Sequence, residues 1–244
     1  MKNLSIGILK TDTVRESLSP EFGEYPDMFI RLLKEIDAEL NLVTYDIEHQ
    51  EYPNNINEVD AYLITGSKYS VYDNEPWIIA LTEFVRELHR EHKKLIGICF
   101  GHQMVAHALG GSVDKSSEGW GLGVSESTLT SAESWSTGGN KFNLLMSHQD
   151  QVMVPPENAR VIAATKFCPI LACQLEDHVL TFQGHPEFDK SYYRALMDVR
   201  RERLGDELYS QALEGAKKPI DNPKIAQWIV NFLRKESLLS ASFL

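Results

Sequence analysis

The stretch LIGICFGHQMVAHALGG, residues 95–111, frames the reading of the whole chain. An apolar run over 95–98 stops at a single cysteine, Cys99. Phe100, Gly101, His102 and Gln103 follow at once. Locally this reads as a buried strand, a sharp turn and a helix. Cys99 at the turn is open to three readings: core thiol, metal ligand or nucleophile. Gly97 and Gly101 flank it at i−2 and i+2 and supply the room that a tight elbow needs. The helix N-terminus beneath it favours negative charge. GICFG is therefore the cysteine counterpart of the G-x-S-x-G elbow, a turn expected to leave the thiol exposed.

Outward from this stretch, the apolar runs LSIGIL (4–9), NLVTYDI (41–47), DAYLIT (60–65) and KLIGI (94–98) read as buried strands,. Pro26 suits the first turn of a helix carrying Met28, Phe29, Leu32, Leu33 and Ile36 at helical spacing. Pro76 opens another, with Ile78, Leu81, Val85 and Leu88 as its stripe,. This β-α-β-β-α-β order predicts an α/β fold: a doubly wound, mostly parallel central sheet flanked by helices on both faces. Past residue 111 six short strand-like pieces follow, joined by Gly, Ser, Asn and Pro, which predicts further, partly antiparallel sheet. From Asp189 the chain reads helical to its end, with a turn near AKKPIDNP. Pro223 starts a last helix whose Ile225, Ile229, Phe232 and Leu233 share a face. Residues 1–190 read as one α/β domain, and 191–244 as a helical C-terminal extension packed on it.

Composition narrows the function. Asp plus Glu number 35 against 24 Lys plus Arg, a net charge of −11. Such a surface repels phosphate backbones and anionic bilayers, so neither nucleic acid nor a membrane is an expected partner. Cys99, Cys168 and Cys173 make no disulfide framework,. The N-terminal apolar run is cut off by Lys10 and Asp12, too soon for a signal peptide. No apolar stretch is long enough to span a bilayer. A soluble, cytoplasmic protein is expected.

A thiolate nucleophile needs an imidazole, and the imidazole needs an acceptor to fix its tautomer. FQGHPEF (182–188) supplies both. His185 and Glu187 lie two apart, so an extended backbone points them the same way,. Pro186 keeps the segment from turning helical. The apolar HVLTF before it reads as a strand delivering the pair to the sheet edge. His102 and His107 follow Cys99 without C-x-x-C or H-E-x-x-H spacing, so they read as packed or surface histidines. No metal site and no cofactor are predicted. Cys168 and Cys173 read as core thiols, and STGGNK (136–141) as a turn. Trp120 and Trp135 flank glycine-rich loops near the inferred site, with packing as the default role.

GICFGHQ and GHPE together resemble the Cys–His–Glu triad of the class I glutamine amidotransferases. Two further stretches fit the same resemblance, which covers roughly residues 4–190. LITGSKYSVYD (63–73) looks like the family's glycine-rich oxyanion loop, and MSHQDQV (146–152) resembles its S-H-G-D-x-V loop. The nearest flavour is the stand-alone group similar to the glutaminase domain of GMP synthase, to which plant γ-glutamyl peptidases belong. The resemblance implies a flavodoxin-like class I glutaminase fold and cysteine-dependent hydrolysis of a γ-glutamyl amide through a thioester. Ammonia supply from glutamine is the first reading. A stand-alone γ-glutamyl peptidase is the second, and a catalytically silent binding protein on the same fold the third. Cys99 would be the nucleophile, His185 the proton shuttle and Glu187 its orienter. Oxyanion donors would be the backbone N–H groups of Phe100 and of the Gly66–Ser67 turn, with Ser67 favoured. Gln103 would meet the α-amino-acid end of the substrate, and Ser147, His148 and Gln149 would close the other side. The implied partner is a small γ-glutamyl substrate. A separate synthetase chain joins it if ammonia is delivered, since 244 residues hold no S-G-G-x-D-S loop of an ATP-pyrophosphatase. Ser67 and Lys68 stand where the family often has Gly-Pro, and Gln149 where it has glycine.

Overall fold

The computed structural model describes residues 3–235. Strand β1 (Ser5–Lys10) is followed by helices α1 (Ser19–Phe22) and α2 (Tyr25–Ile36), then strands β2 (Asn41–Asp46) and β3 (Ala61–Ile64). Helix α3 (Pro76–Arg90), strand β4 (Lys94–Ile98) and helix α4 (Phe100–Ala108) come next. The strand-rich part holds β5 (Ser112–Lys115), β6 (Gly121–Thr128), β7 (Lys141–His148), β8 (Asp150–Val154), β9 (Ala159–Ala163), β10 (Ala172–Leu175) and β11 (Val179–Phe182). Helices α5 (Lys190–Leu204), α6 (Asp206–Gly215) and α7 (Asn222–Arg234) follow.

Seven strands form one sheet in the order β2-β1-β3-β4-β11-β10-β9. From β2 to β11 every pairing is parallel, and β10 and β9 join through antiparallel pairings. The alternation of side chains along each strand divides the core in two. Ile6 and Ile8 of β1, with Ile96 and Ile98 of β4, pack among Phe29 and Leu33 of α2 and Ile225 and Ile229 of α7. Leu9, Tyr62, Ile64 and Leu95 face the opposite way, among Ile78, Leu81 and Val85 of α3 and Met104 of α4. Both faces are covered, as a parallel sheet requires. Helix α2 begins with a reciprocal capping box between Glu24 and Asp27, with Pro26 in its first turn,.

Several expectations need correcting. Strand β11 lies in the sheet interior between β4 and β10. Its four residues are buried on both faces, which gives a short continuous apolar run rather than an alternation,. The predicted strands past residue 111 all form, but they divide. Strands β9, β10 and β11 extend the main sheet, whereas β5–β8 and β6–β7 are separate two-stranded ribbons. Helix α1 is only four residues long, and β5 is a polar Ser-Val-Asp-Lys segment, so neither carries a sequence period. The helical reading beyond residue 235 lies outside the described residues.

The elbow is built backbone against backbone. A Cβ on Gly97 would stand 2.6 Å from the carbonyl oxygen of Gly101, and one on Gly101 would stand 2.5 Å from that of Ile64. Neither neighbour is a flexible side chain that can swing away. Gly101→Ala is expected to cost about 3 kcal/mol or more by overpacking, read as a lowered urea midpoint at unchanged m-value.

Candidate active site

Strands β4 and β11 run side by side and parallel, with Ile98 paired to Phe182 at their carboxyl ends. Cys99 follows the first strand and His185 the second, so two residues far apart in sequence meet at one end of the sheet. That is the end where open α/β sheets place their ligands. Cys99 caps helix α4 with φ 52 and ψ −100. A non-glycine residue held there stores strain on the order of 1–3 kcal/mol, a cost this elbow sustains by anchoring both neighbours. The Cys99 amide donates to the Phe182 carbonyl at 2.9 Å, and its carbonyl accepts from Gln103 N at 3.1 Å. The thiol is not open to solvent as the elbow alone suggested: Cys99 is 6% exposed. The loop at Gly66 and the His185 ring close over it. A Cβ on Gly66 would stand 3.0 Å from His185 Cε1 and 3.6 Å from Cys99 Cβ.

His185 is fixed on three sides. Its amide donates to the Leu145 carbonyl at 2.9 Å. Its ring lies flat on Phe188, with centroids 4.0 Å apart and planes 4° apart. Its Nδ1 is 2.8 Å from Glu187 Oε1. Nε2 is buried without a well-formed hydrogen bond, and the Cys99 sulfur is its neighbour on that side. Burial by itself would push the His185 pKa down. The Glu187 carboxylate and the Cys99 sulfur outweigh it and carry the pKa up to about 10,.

Opposite the histidine lies the turn after β3. The Gly66 carbonyl oxygen is 3.1 Å from the Thr11 hydroxyl and 3.3 Å from that of Thr65. Lys68 N donates to Asp12 Oδ2 at 2.8 Å, and Lys68 Nζ to Asp12 Oδ1 at 2.7 Å. No peptide is cis. A trans peptide sends its C=O and N–H in opposite directions, so a Gly66 carbonyl held on the threonines leaves the Ser67 N–H pointing away from them. Among the described residues the N–H groups of Gly66, Ser67 and Phe100 donate to no acceptor. The Phe100 N–H is an orphan donor of the first turn of α4. All three residues thus have backbone donors to offer where Gly66, Ser67 and Cys99 line a common cleft. Thr11→Val would remove the shorter of the two hydroxyl contacts on the Gly66 carbonyl and loosen this peptide. It is expected to lower kcat by about 100-fold, the scale for losing one oxyanion donor, with a much smaller change in KM.

The cleft continues past Cys99. Gln103, Ser147, His148 and Gln149 all line it. Their side chains are unequally free. The Gln103 amide nitrogen donates to the Asp150 carbonyl at 2.8 Å and to Gln183 Oε1 at 3.1 Å. His148 Nδ1 donates to the same carbonyl at 3.1 Å, and burial lowers the His148 pKa to about 3, so the ring is neutral. Ser147 Oγ accepts from Arg200 Nη1 at 2.7 Å.

Four contributors escaped the sequence reading. Thr11 and Asp12 hold the 66–68 turn, and two buried polar residues directly after a parallel strand were the available signal. Arg200 and Arg203 of α5 line the cleft. Arg200 interrupts a buried stripe of Tyr193, Leu196, Met197 and Leu204, and that charge at a stripe position was the clue. Trp120 does line the cleft, with Arg203 over its ring at 5.1 Å. Trp135 does not: it packs on Trp228 and Phe232. His102 is a core histidine, bonded to Thr181 Oγ1 at 2.8 Å and the Ile170 carbonyl at 3.0 Å. Cys168 and Cys173 are buried, and burial pushes each thiol pKa up to about 12.

Comparison with known proteins identifies the class to which this fold belongs. The family model "Glutamine amidotransferase class-I" matches residues 21–197. A glutamine amidotransferase-like protein of Schizosaccharomyces pombe is 33% identical over 242 residues, covering 93% of this chain and 98% of its own. γ-Glutamyl peptidase 2 of Arabidopsis thaliana is 29% identical, covering 90% and 91%. The crystal structure of a glutamine amidotransferase from Thermotoga maritima superposes with a TM-score of 0.75 at 15% identity, covering 96% and 97%. The chain belongs to the class I glutamine amidotransferase family. No helix among the described residues is long and apolar enough to cross a membrane.

Proposed function

We propose that the protein hydrolyses γ-glutamyl peptides through a γ-glutamyl thioester on Cys99. The observation that carries this reading is the buried Cys99–His185–Glu187 array facing the unpaired N–H groups of Ser67 and Phe100. The thiol proton rests on His185 before the substrate reacts, and the sulfur attacks the γ-carbonyl carbon. The carbonyl oxygen, now negative, is received by the Ser67 and Phe100 N–H groups. As the C–N bond breaks, His185 gives that proton to the leaving nitrogen. Water then attacks the thioester, loses a proton to His185, and the thiol is restored as glutamate leaves. Glu187 holds the imidazolium in place throughout.

The cleft favours a peptide over free glutamine. Lys115, Arg200 and Arg203 line it, and among the described residues none has a carboxylate in ion-pair range. In a chain of net charge −11, three such cations at one cleft exceed what a single α-carboxylate needs. A γ-glutamyl peptide adds a second, C-terminal carboxylate. The aligned γ-glutamyl peptidase of Arabidopsis supports the same substrate class. Glutamate release from glutamine, a γ-glutamyl dipeptide and glutathione tests this directly. The peptides are expected to be cleaved with the higher kcat/KM. Arg200→Ala should raise KM for the dipeptide by about 10- to 100-fold, the scale of a hydrogen bond to a charged group. Strong glutamine hydrolysis with weak peptide cleavage would instead support ammonia supply to a separate synthetase chain.

A further inference from the structure

At the opposite end of β4 and β11 lies a second cluster with no part in this chemistry. His92 follows α3, while Glu176 and His178 sit in the turn between β10 and β11. The Nδ1 atoms of His92 and His178 are 3.3 Å and 3.4 Å from one oxygen, Glu176 Oε2. All three donor atoms lie within 4.8 Å of one another. We propose that His92, Glu176 and His178 form a divalent transition-metal site, with zinc as the ion that fits its donors.

Three observations carry this. The first is spacing. Nitrogen and oxygen ligands about 2.0–2.2 Å from a tetrahedral zinc ion stand roughly 3.3–3.5 Å apart, which is the separation of each histidine nitrogen from Glu176 Oε2 here,.

The second is an unpartnered atom. His178 is fully buried, and its Nδ1 has no hydrogen-bond partner. Glu176 Oε2 and, at 3.8 Å, Asp177 Oδ1 face that nitrogen. The other ring nitrogen of His178 is 2.9 Å from His89 Nδ1. If His178 donates to His89, its Nδ1 lone pair is aimed at carboxylate oxygens, an arrangement that a cation between them relieves. If His89 donates instead, the Nδ1–H of His178 is buried and unmade. Both states cost free energy, and only the first is turned to advantage by a ligated metal.

The third is support. A metal-bound histidine commonly donates its other N–H to a fixed acceptor, and His89 stands where that acceptor is needed, its ring stacked on His178 with centroids 5.0 Å apart,. Two imidazoles and one carboxylate suit zinc better than calcium or magnesium, which take oxygen ligands. His92 and Glu176 are exposed, which leaves a fourth position for water. The ion would tie the end of α3 to the β10–β11 turn. It would brace the two strands whose far ends carry Cys99 and His185.

The test uses the full chain with Cys99→Ala, so that the reactive thiol takes no metal. The metal-free protein is titrated with Co²⁺ by visible absorption and with Zn²⁺ against a chromophoric chelator. One equivalent is expected, with a tetrahedral Co²⁺ spectrum that Zn²⁺ displaces and a Zn²⁺-dependent rise in Tm. Glu176→Gln and His92→Ala alter exposed side chains. Each is expected to weaken binding by about 100-fold and to remove the rise in Tm. Absence of stoichiometric binding, or binding that survives both substitutions, would overturn the proposal.

Discussion

Cys99→Ala is expected to lower turnover by about 10⁴-fold or more while the chain stays folded. The large factor follows from the mechanism: with no sulfur there is no thioester, and the remaining donors only bind. The stability expectation needs more care, because Cys99 is buried and belongs to the main core cluster. Alanine keeps the Cβ and accepts the same backbone strain at φ 52 that cysteine does. The change removes one sulfur atom from a site that borders the cleft, so it should cost about 1 kcal/mol. Steady-state kinetics and a urea melt on the same preparation separate the two effects. A Cys99→Ala protein that unfolds, or one that keeps activity, would mean that the thiol serves packing.

Glu187→Gln is expected to cost about 10³–10⁴ in kcat, because the amide no longer enforces the Nδ1–H tautomer of His185. It carries a second signature in pH. In the folded protein the His185 pKa is raised from 6.5 to about 10, so the folded form holds the proton more tightly than the unfolded chain. The resulting stabilisation is complete below about pH 6.5 and is lost as pH rises through about 10. The proton that His185 gives to the leaving nitrogen is retained over the same range, so activity should hold through neutrality and fall toward pH 10. Removing the Glu187 charge leaves burial in place, which pushes the pKa down. The alkaline limb of the kcat profile should therefore move to lower pH in Glu187→Gln. An unmoved limb would assign it to another group.

The local signals in the chain were easy to read, and the long-range ones were not. The apolar run of β1 and the stripe Ile225, Ile229, Phe232 and Leu233 announce their elements because each signal lies within one segment. The elbow was legible for the same reason: Gly97, Cys99 and Gly101 lie within five residues, and both glycines are needed where backbones touch. His185 and Glu187 were legible as a pair because one extended segment aims both. The grip of Thr11 on Gly66, 55 residues away, has no local pattern. Nor does that of Arg200 on Ser147, 53 residues away. The cover over Cys99 was missed on the same ground, since it comes from a loop and a histidine that only the sheet brings together. The place of β11 inside the sheet, between β4 and β10, was not legible either, because order along the chain does not reveal order across a sheet.

The most direct test of the central claim is to treat the protein with a diazo-ketone analogue of glutamine, digest it and locate the adduct by mass. One adduct per chain is expected, on the peptide that contains Cys99, with loss of activity in step with its formation. His185→Ala should slow its appearance. An adduct on Cys168 or Cys173 with Cys99 untouched, or none at neutral pH, would contradict a thiolate nucleophile at the elbow.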